Sequence, residues 1–215
     1  MALVSKNFTT IKPAMQRLFD RLSTFFKPKP THGFGYRLYA ACVDQARLPV
    51  FYATYGVEDA IGARFELLTF HVGLVIERLK AVTAADPRRG QAQEIAQALF
   101  DAFLEALDNT LREQGTGDLS VPKKMKKIGA VIYTRMKRWE DLWSENAAAR
   151  ADYAARTIFA GDDDEAGAAD TIPHATLGRA ALFAAYGAAA RAGLDIDALL
   201  DGRVEWAAAP VADVA

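Results

Sequence analysis

The sequence predicts an all-α fold: a single-domain helical bundle preceded by an N-terminal amphipathic helix. Apolar residues recur at helical spacing in long stretches, and Gly- and Pro-containing turns separate those stretches. No segment shows strand-type alternation of any length, and there is no internal repeat. The 215 residues are 51% hydrophobic and 25% charged, enough for one substantial core with extensions. We assign 1–33 to a basic extension and linker, 34–206 to the packed domain and 207–215 to a flexible tail.

The elements follow in chain order. From Ile11 to Phe26, Ile11, Met15, Leu18, Leu22 and Phe25 share one side, with Lys12, Gln16, Arg17, Asp20 and Arg21 on the rest. Such a helix either packs on the core or lies in an anionic membrane surface, touching it through Phe19, Arg21, Phe25 and Phe26. Lys27, Pro28, Lys29, Pro30 and Gly33 end it. A helix from about Phe34 to Gln45 turns Phe34, Leu38, Ala41 and Cys42 inward. Leu48 and Pro49 break it; Phe51, Tyr52, Tyr55, Gly56 and Val57 then make an aromatic connection that fills the bundle end or binds a ligand.

Glu58 to Val82 is the expected central helix. Ile61, Phe65, Leu68, Val72, Val75 and Leu79 form one stripe and Leu67, Phe70 and Leu74 another, the pattern of a helix buried between neighbours. His71 sits between the stripes, as a hydrogen-bonded core histidine or as a metal or haem ligand; nothing at metal-ligand spacing accompanies it. After the turn at Asp86 to Gly90, a further helix runs to about Gln114, with Leu99, Phe100, Phe103, Leu104, Leu107 and Leu111 inward. Asp101 and Glu105, one turn apart, suit acid–base work in spacing, but they lack a companion His, Lys or metal pattern. A solvated or salt-bridged face accounts for them.

Asp118 to Trp143 carries the strongest signal. Gly115, Thr116 and Gly117 punctuate the chain before it, Pro122 suits a first helical turn, and Ser120 or Asp118 can cap it. Wound at about 100° per residue, Met125, Ile128, Ile132, Met136, Trp139 and Trp143 face one way. Lys123, Lys124, Lys126, Lys127, Arg135, Lys137 and Arg138 point elsewhere. The cationic side is either a solvated surface or a docking face for phosphate or for an acidic protein. Four lysines at a helix start repel one another and the helix dipole, a local cost that brings the docking reading close to level with the solvated one.

An alanine-rich helix then runs to about Phe159, followed by Asp162, Asp163, Asp164 and Glu165, which lack the alternating spacing of a calcium loop. From His174 to Ala192, Leu177, Ala181, Ala184 and Ala188 line one face, and Leu194, Ile196, Leu199 and Leu200 give a last short turn. The net charge of −1 argues against a general nucleic-acid coat and leaves room for a local basic patch; DNA is not an expected partner. The single cysteine, Cys42, excludes an internal disulfide and fits a reducing compartment. No uncharged apolar run approaches ~18 residues and no secretory signal is legible, so we expect a cytoplasmic chain, peripheral at most on the inner membrane.

The chain also resembles the ubiquinol–cytochrome c chaperone family, bacterial relatives of the mitochondrial assembly factors for the cytochrome bc1 complex. The resemblance covers roughly Tyr36 to Phe159 and, more weakly, the C-terminal part. It rests on Arg47 through Tyr52 (Arg-Leu-Pro-Val-Phe-Tyr), Gly56-Val57, Arg64-Phe65-Glu66-Leu67, His71 and Leu111-Arg112-Glu113. Its most specific block is that Leu111-Arg112-Glu113 followed by Gly117-Asp118-Leu119-Ser120-Val121-Pro122 running into Lys123 to Lys127. Phe51, Tyr52, Arg64, Phe65, Glu66, His71, Arg112, Asp118 and Pro122 are therefore the motif positions. Gly62-Ala63 and Tyr133-Thr134-Arg135 depart from the family's usual Asp-Gly and Tyr-Gly-Arg.

The resemblance implies a non-enzymatic, cofactor-free assembly factor that binds newly made cytochrome b near the ribosome exit region or the membrane. The lysine face would then meet ribosomal RNA or anionic lipid, and clefts between helices would shelter a nascent membrane segment. A peripheral membrane scaffold is the competing reading, and a small-molecule or haem binder using His71, Tyr52 or Arg64 is the third.

Overall fold

A computed structural model describes residues 32–160 and 172–210. The expected N-terminal helix with Phe19, Arg21, Phe25 and Phe26, and the acidic run from Asp162 to Glu165, lie outside the described residues. All regular structure within them is helical: α1 (His32–Ala46), a π-helical turn (Val50–Thr54), α2 (Ile61–Lys80), α3 (Arg89–Glu113), α4 (Val121–Leu142), α5 (Ala147–Thr157), α6 (His174–Gly193) and α7 (Ile196–Leu200).

The two apolar stripes of α2 have the consequence expected of them. This helix sits at the centre, packed against α1, α3, α4, α6 and α7, with Leu67, Val72, Val75 and Leu79 fully buried. Ile61 departs from the stripe: as the first residue of α2 it overhangs the end of the bundle and is 73% exposed. Gly35 lets α1 cross α3 closely. A Cβ there would stand 2.5 Å from the Ala98 carbonyl carbon, which backbone cannot vacate.

Helix ends are held by side chains where the chain provides them. Asn146 accepts from the Ala149 N–H at 2.9 Å to start α5, and Asp195 accepts from the Ala198 N–H at 2.8 Å to start α7. Ser120 occupies the cap position of α4 without its side chain bonding the helix, and Asp118 is drawn away to Arg112. The start of α4 is fixed instead by Pro122 in its first turn and by Val121, which is buried.

On α6 the buried face is Ala180, Phe183, Ala184, Tyr186, Gly187 and Ala190. It is rotated from the expected Leu177, Ala181, Ala184 and Ala188 stripe, because two aromatic rings decide the orientation over any alanine. Residues 207–210, the described part of the flexible tail expected from 207 to 215, are tied to the core. Ala207 and Ala209 pack against the core, and the Pro210 carbonyl accepts from the Tyr55 hydroxyl at 2.8 Å.

Candidate functional site

The loop ahead of α4 is built to hold one shape. Gly115 takes a φ of +78°, the left-handed region that glycine reaches without a Cβ penalty. Arg112, in the last turn of α3, forks between Asp108 (2.6 Å) and Asp118 (2.5 Å), tying helix to loop. The Lys124 ammonium donates to the Thr116 hydroxyl at 2.9 Å. At the tip Leu119 is 98% exposed, so the loop presents an isobutyl group to the surroundings.

Beyond the loop, Lys123, Lys124, Lys126 and Lys127 are all exposed, and none has a carboxylate partner among the described residues. The second half of α4 differs. Lys137 pairs with Asp141 at 2.8 Å and Arg138 with Glu145 at 2.6 Å, so positive charge there is largely neutralised locally. Arg135, expected on the cationic face, turns inward to the Glu66 carboxylate on α2 at 2.8 Å. Burial pushes Glu66 up against the pull of Arg135; for Arg135 burial works against the charge, and Glu66 outweighs it. The free cationic surface is therefore the four lysines of the first two turns.

On the flank of α4 lies an open groove of about 700 Å³, walled by α3 and α4 and floored by the second half of α2. Gly73, Ile76, Ala96, Phe100 and Met136 give it an apolar bed, and Glu77, Lys80, Lys137 and Glu140 rim it. Tyr133, 72% exposed, stands on its edge. A smaller pocket of about 340 Å³ gathers three motif residues, Tyr52, Arg64 and Phe65, beside Arg47 and Leu107. Arg64 is bound to Asp59 at 2.6 Å, and Tyr52 donates to the Ala46 carbonyl at 3.0 Å.

The other motif residues have structural partners. Phe51 is buried in a ring cluster with Phe183 and Tyr186. His71 Nδ1 lies 2.7 Å from the Leu67 carbonyl, which can only accept, so that nitrogen carries the proton. Nε2 then accepts from the Tyr186 hydroxyl at 2.8 Å, and Gln45 donates to the same hydroxyl at 2.9 Å. Both ring nitrogens are thus committed, and burial pulls the imidazole down to about 4, leaving it neutral. Cys42 is buried and burial pushes its thiol up, the reverse of a reactive thiolate. Asp101 accepts from Gln97 at 2.7 Å and Glu105 from the Tyr36 hydroxyl, so the two carboxylates serve different partners.

Residues 53–206 match the family described as Ubiquinol-cytochrome C chaperone. The chain belongs to that family. The match extends through α6 and α7, which the motifs alone reached only weakly. The chain is also similar to the Cbp3 homolog from Brucella abortus, whose crystal structure it matches with a TM-score of 0.66 at 29% identity. That alignment covers 91% of this chain and 97% of the other. No curated protein matches it. As a family member it has an all-helical chaperone scaffold for ubiquinol–cytochrome c reductase assembly, and no described helix is long and apolar enough to cross a membrane.

Two features of the site escaped the reading of the sequence. Ile76, Phe100 and Met136 have the spacing of core residues, and nothing in one helix tells whether the neighbouring helix closes over them. Tyr133 was legible in principle: it lies about 110° from the buried direction of Ile132 and Trp139, where an aromatic has no core to join.

Proposed function

We propose that this protein is an assembly chaperone of the cytochrome bc1 complex that holds newly made cytochrome b. The groove between α3 and α4 receives an apolar segment of that client. The observation that carries this reading is the open apolar bed itself. Ile76, Phe100 and Met136 are left beside an uncovered cleft, where a stable soluble bundle gains by closing one. The mixed charged rim of Glu77, Lys80, Lys137 and Glu140 lets polar residues flanking such a segment stay hydrated. Family membership supports the choice of client, and the activity is binding, with no bond made or broken. The place of action is then the cytoplasmic face of the membrane, where cytochrome b is inserted.

Deleting the gene and quantifying assembled bc1 complex tests the role. We expect a several-fold fall, restored by the wild-type chain and not by a Phe100→Ser, Tyr133→Ser double variant that folds normally. Unchanged bc1 assembly after deletion would remove the proposal.

A further inference from the structure

We infer that the Leu119 loop and the four lysines behind it form a lipid-docking site, which seats the protein on an anionic bilayer surface. Three independent observations meet there. Leu119 is 98% exposed at the tip of a loop whose shape is held by Arg112, Asp108 and Asp118. The ties reach Asp118, the residue next to Leu119, so the backbone that carries the tip is joined to the end of α3. Lys123, Lys124, Lys126 and Lys127 follow the tip in the first two turns of α4, exposed and without a carboxylate partner among the described residues, whereas Lys137 and Arg138 farther along α4 are paired. The positive charge is thus concentrated beside the apolar tip.

An apolar tip followed at once by four exposed ammonium groups suits the headgroup region, where the tip enters the acyl boundary and the lysines stay with lipid phosphates. RNA is the poorer match. A phosphate backbone would use the lysines, but base recognition calls for stacking planes, and an exposed leucine offers none. An acidic protein would leave Leu119 equally idle unless it brought its own apolar pocket.

The geometry also relates this site to the groove. Lys126, Tyr133 and Lys137 are spaced by seven and four residues, so they share one strip of α4, with the lysine end on the membrane and the groove rim farther along. A membrane-inserting client would meet the groove from the bilayer side. That last step rests on the chaperone reading; the lipid contact does not.

Flotation of the full chain with vesicles tests the inference. Wild type is expected to float with phosphatidylglycerol-containing vesicles, to be released by added salt, and to ignore pure phosphatidylcholine. Changing Lys123, Lys124, Lys126 and Lys127 to Gln should lower partitioning at least tenfold, since each surface lysine contributes about fivefold. Leu119→Asn should lower it roughly fivefold while leaving thermal unfolding unchanged. Because Cys42 is buried, a dye on Leu119→Cys labels the tip selectively, and its emission should shift to the blue on anionic vesicles.

Vesicle binding that survives the lysine and Leu119 substitutions would overturn the inference and assign the contact to another part of the chain. A wild type that binds single-stranded RNA and leaves vesicles alone would overturn it in favour of RNA. Neither result touches bc1 assembly, so the chaperone reading stands or falls separately.

Discussion

His71 shows how much one buried side chain organises. Gln45 on α1, His71 on α2 and Tyr186 on α6 meet in a directed chain of hydrogen bonds that ends on the Leu67 carbonyl. Tyr186→Phe keeps the ring but leaves His71 Nε2 and Gln45 without their partner. We expect a loss of about 1–3 kcal/mol, read by urea unfolding. The same ring sets a pH dependence. It is pulled down to about 4 in the fold, while an unfolded histidine titrates at about 6.5. Between those values the unfolded chain binds a proton that the folded chain refuses. Stability should therefore fall as pH drops from about 6.5 to about 4, by up to roughly 3 kcal/mol, and this group adds nothing further below that. The fall should be missing in His71→Gln, whatever that variant's stability at neutral pH. The histidine's place in the core was readable from its position between two apolar stripes. Its partner was not, because Tyr186 lies far along the chain in an alanine-rich helix with no pattern of its own to point at His71.

At the scale of elements, helix order and limits followed from periodicity and from Gly and Pro punctuation: α2, expected from Glu58 to Val82, spans Ile61–Lys80. What periodicity cannot supply is the way two helices meet. The close crossing of α1 on α3 depends on Gly35, and Gly35→Ala should cost about 1–3 kcal/mol, because the obstacle is the Ala98 backbone and not a movable side chain. Arg135 illustrates the same limit with charge. A wheel places it with the other cations, but its long stem lets it reach Glu66 across to α2. Arg135→Ala should destabilise by about 2–3 kcal/mol, since it strands a carboxylate that is only 12% exposed. The loss should shrink toward acidic pH, where Glu66 takes up a proton: the stranded carboxylate binds it at a higher pH than the unfolded side chain does. Thermal melts of both proteins across the pH range check this.

For the whole molecule, near-zero net charge conceals a surface with separate working regions. Leu119 and the lysine cluster occupy the loop before α4 and its first turns, and the groove lies along its later turns, floored by α2. The motif block from Gly117 to Lys127 was legible because it strings turn, cap and charge along one stretch. The groove was not, because it exists only where three helices leave a gap. Its occupant is the central claim, and photo-crosslinking in living cells measures it directly. A photoreactive phenylalanine analogue at Tyr133 should crosslink to newly synthesised cytochrome b, and one at Asp152 on the exposed side of α5 should not. No adduct at Tyr133, or equal adducts from both positions, would contradict the account.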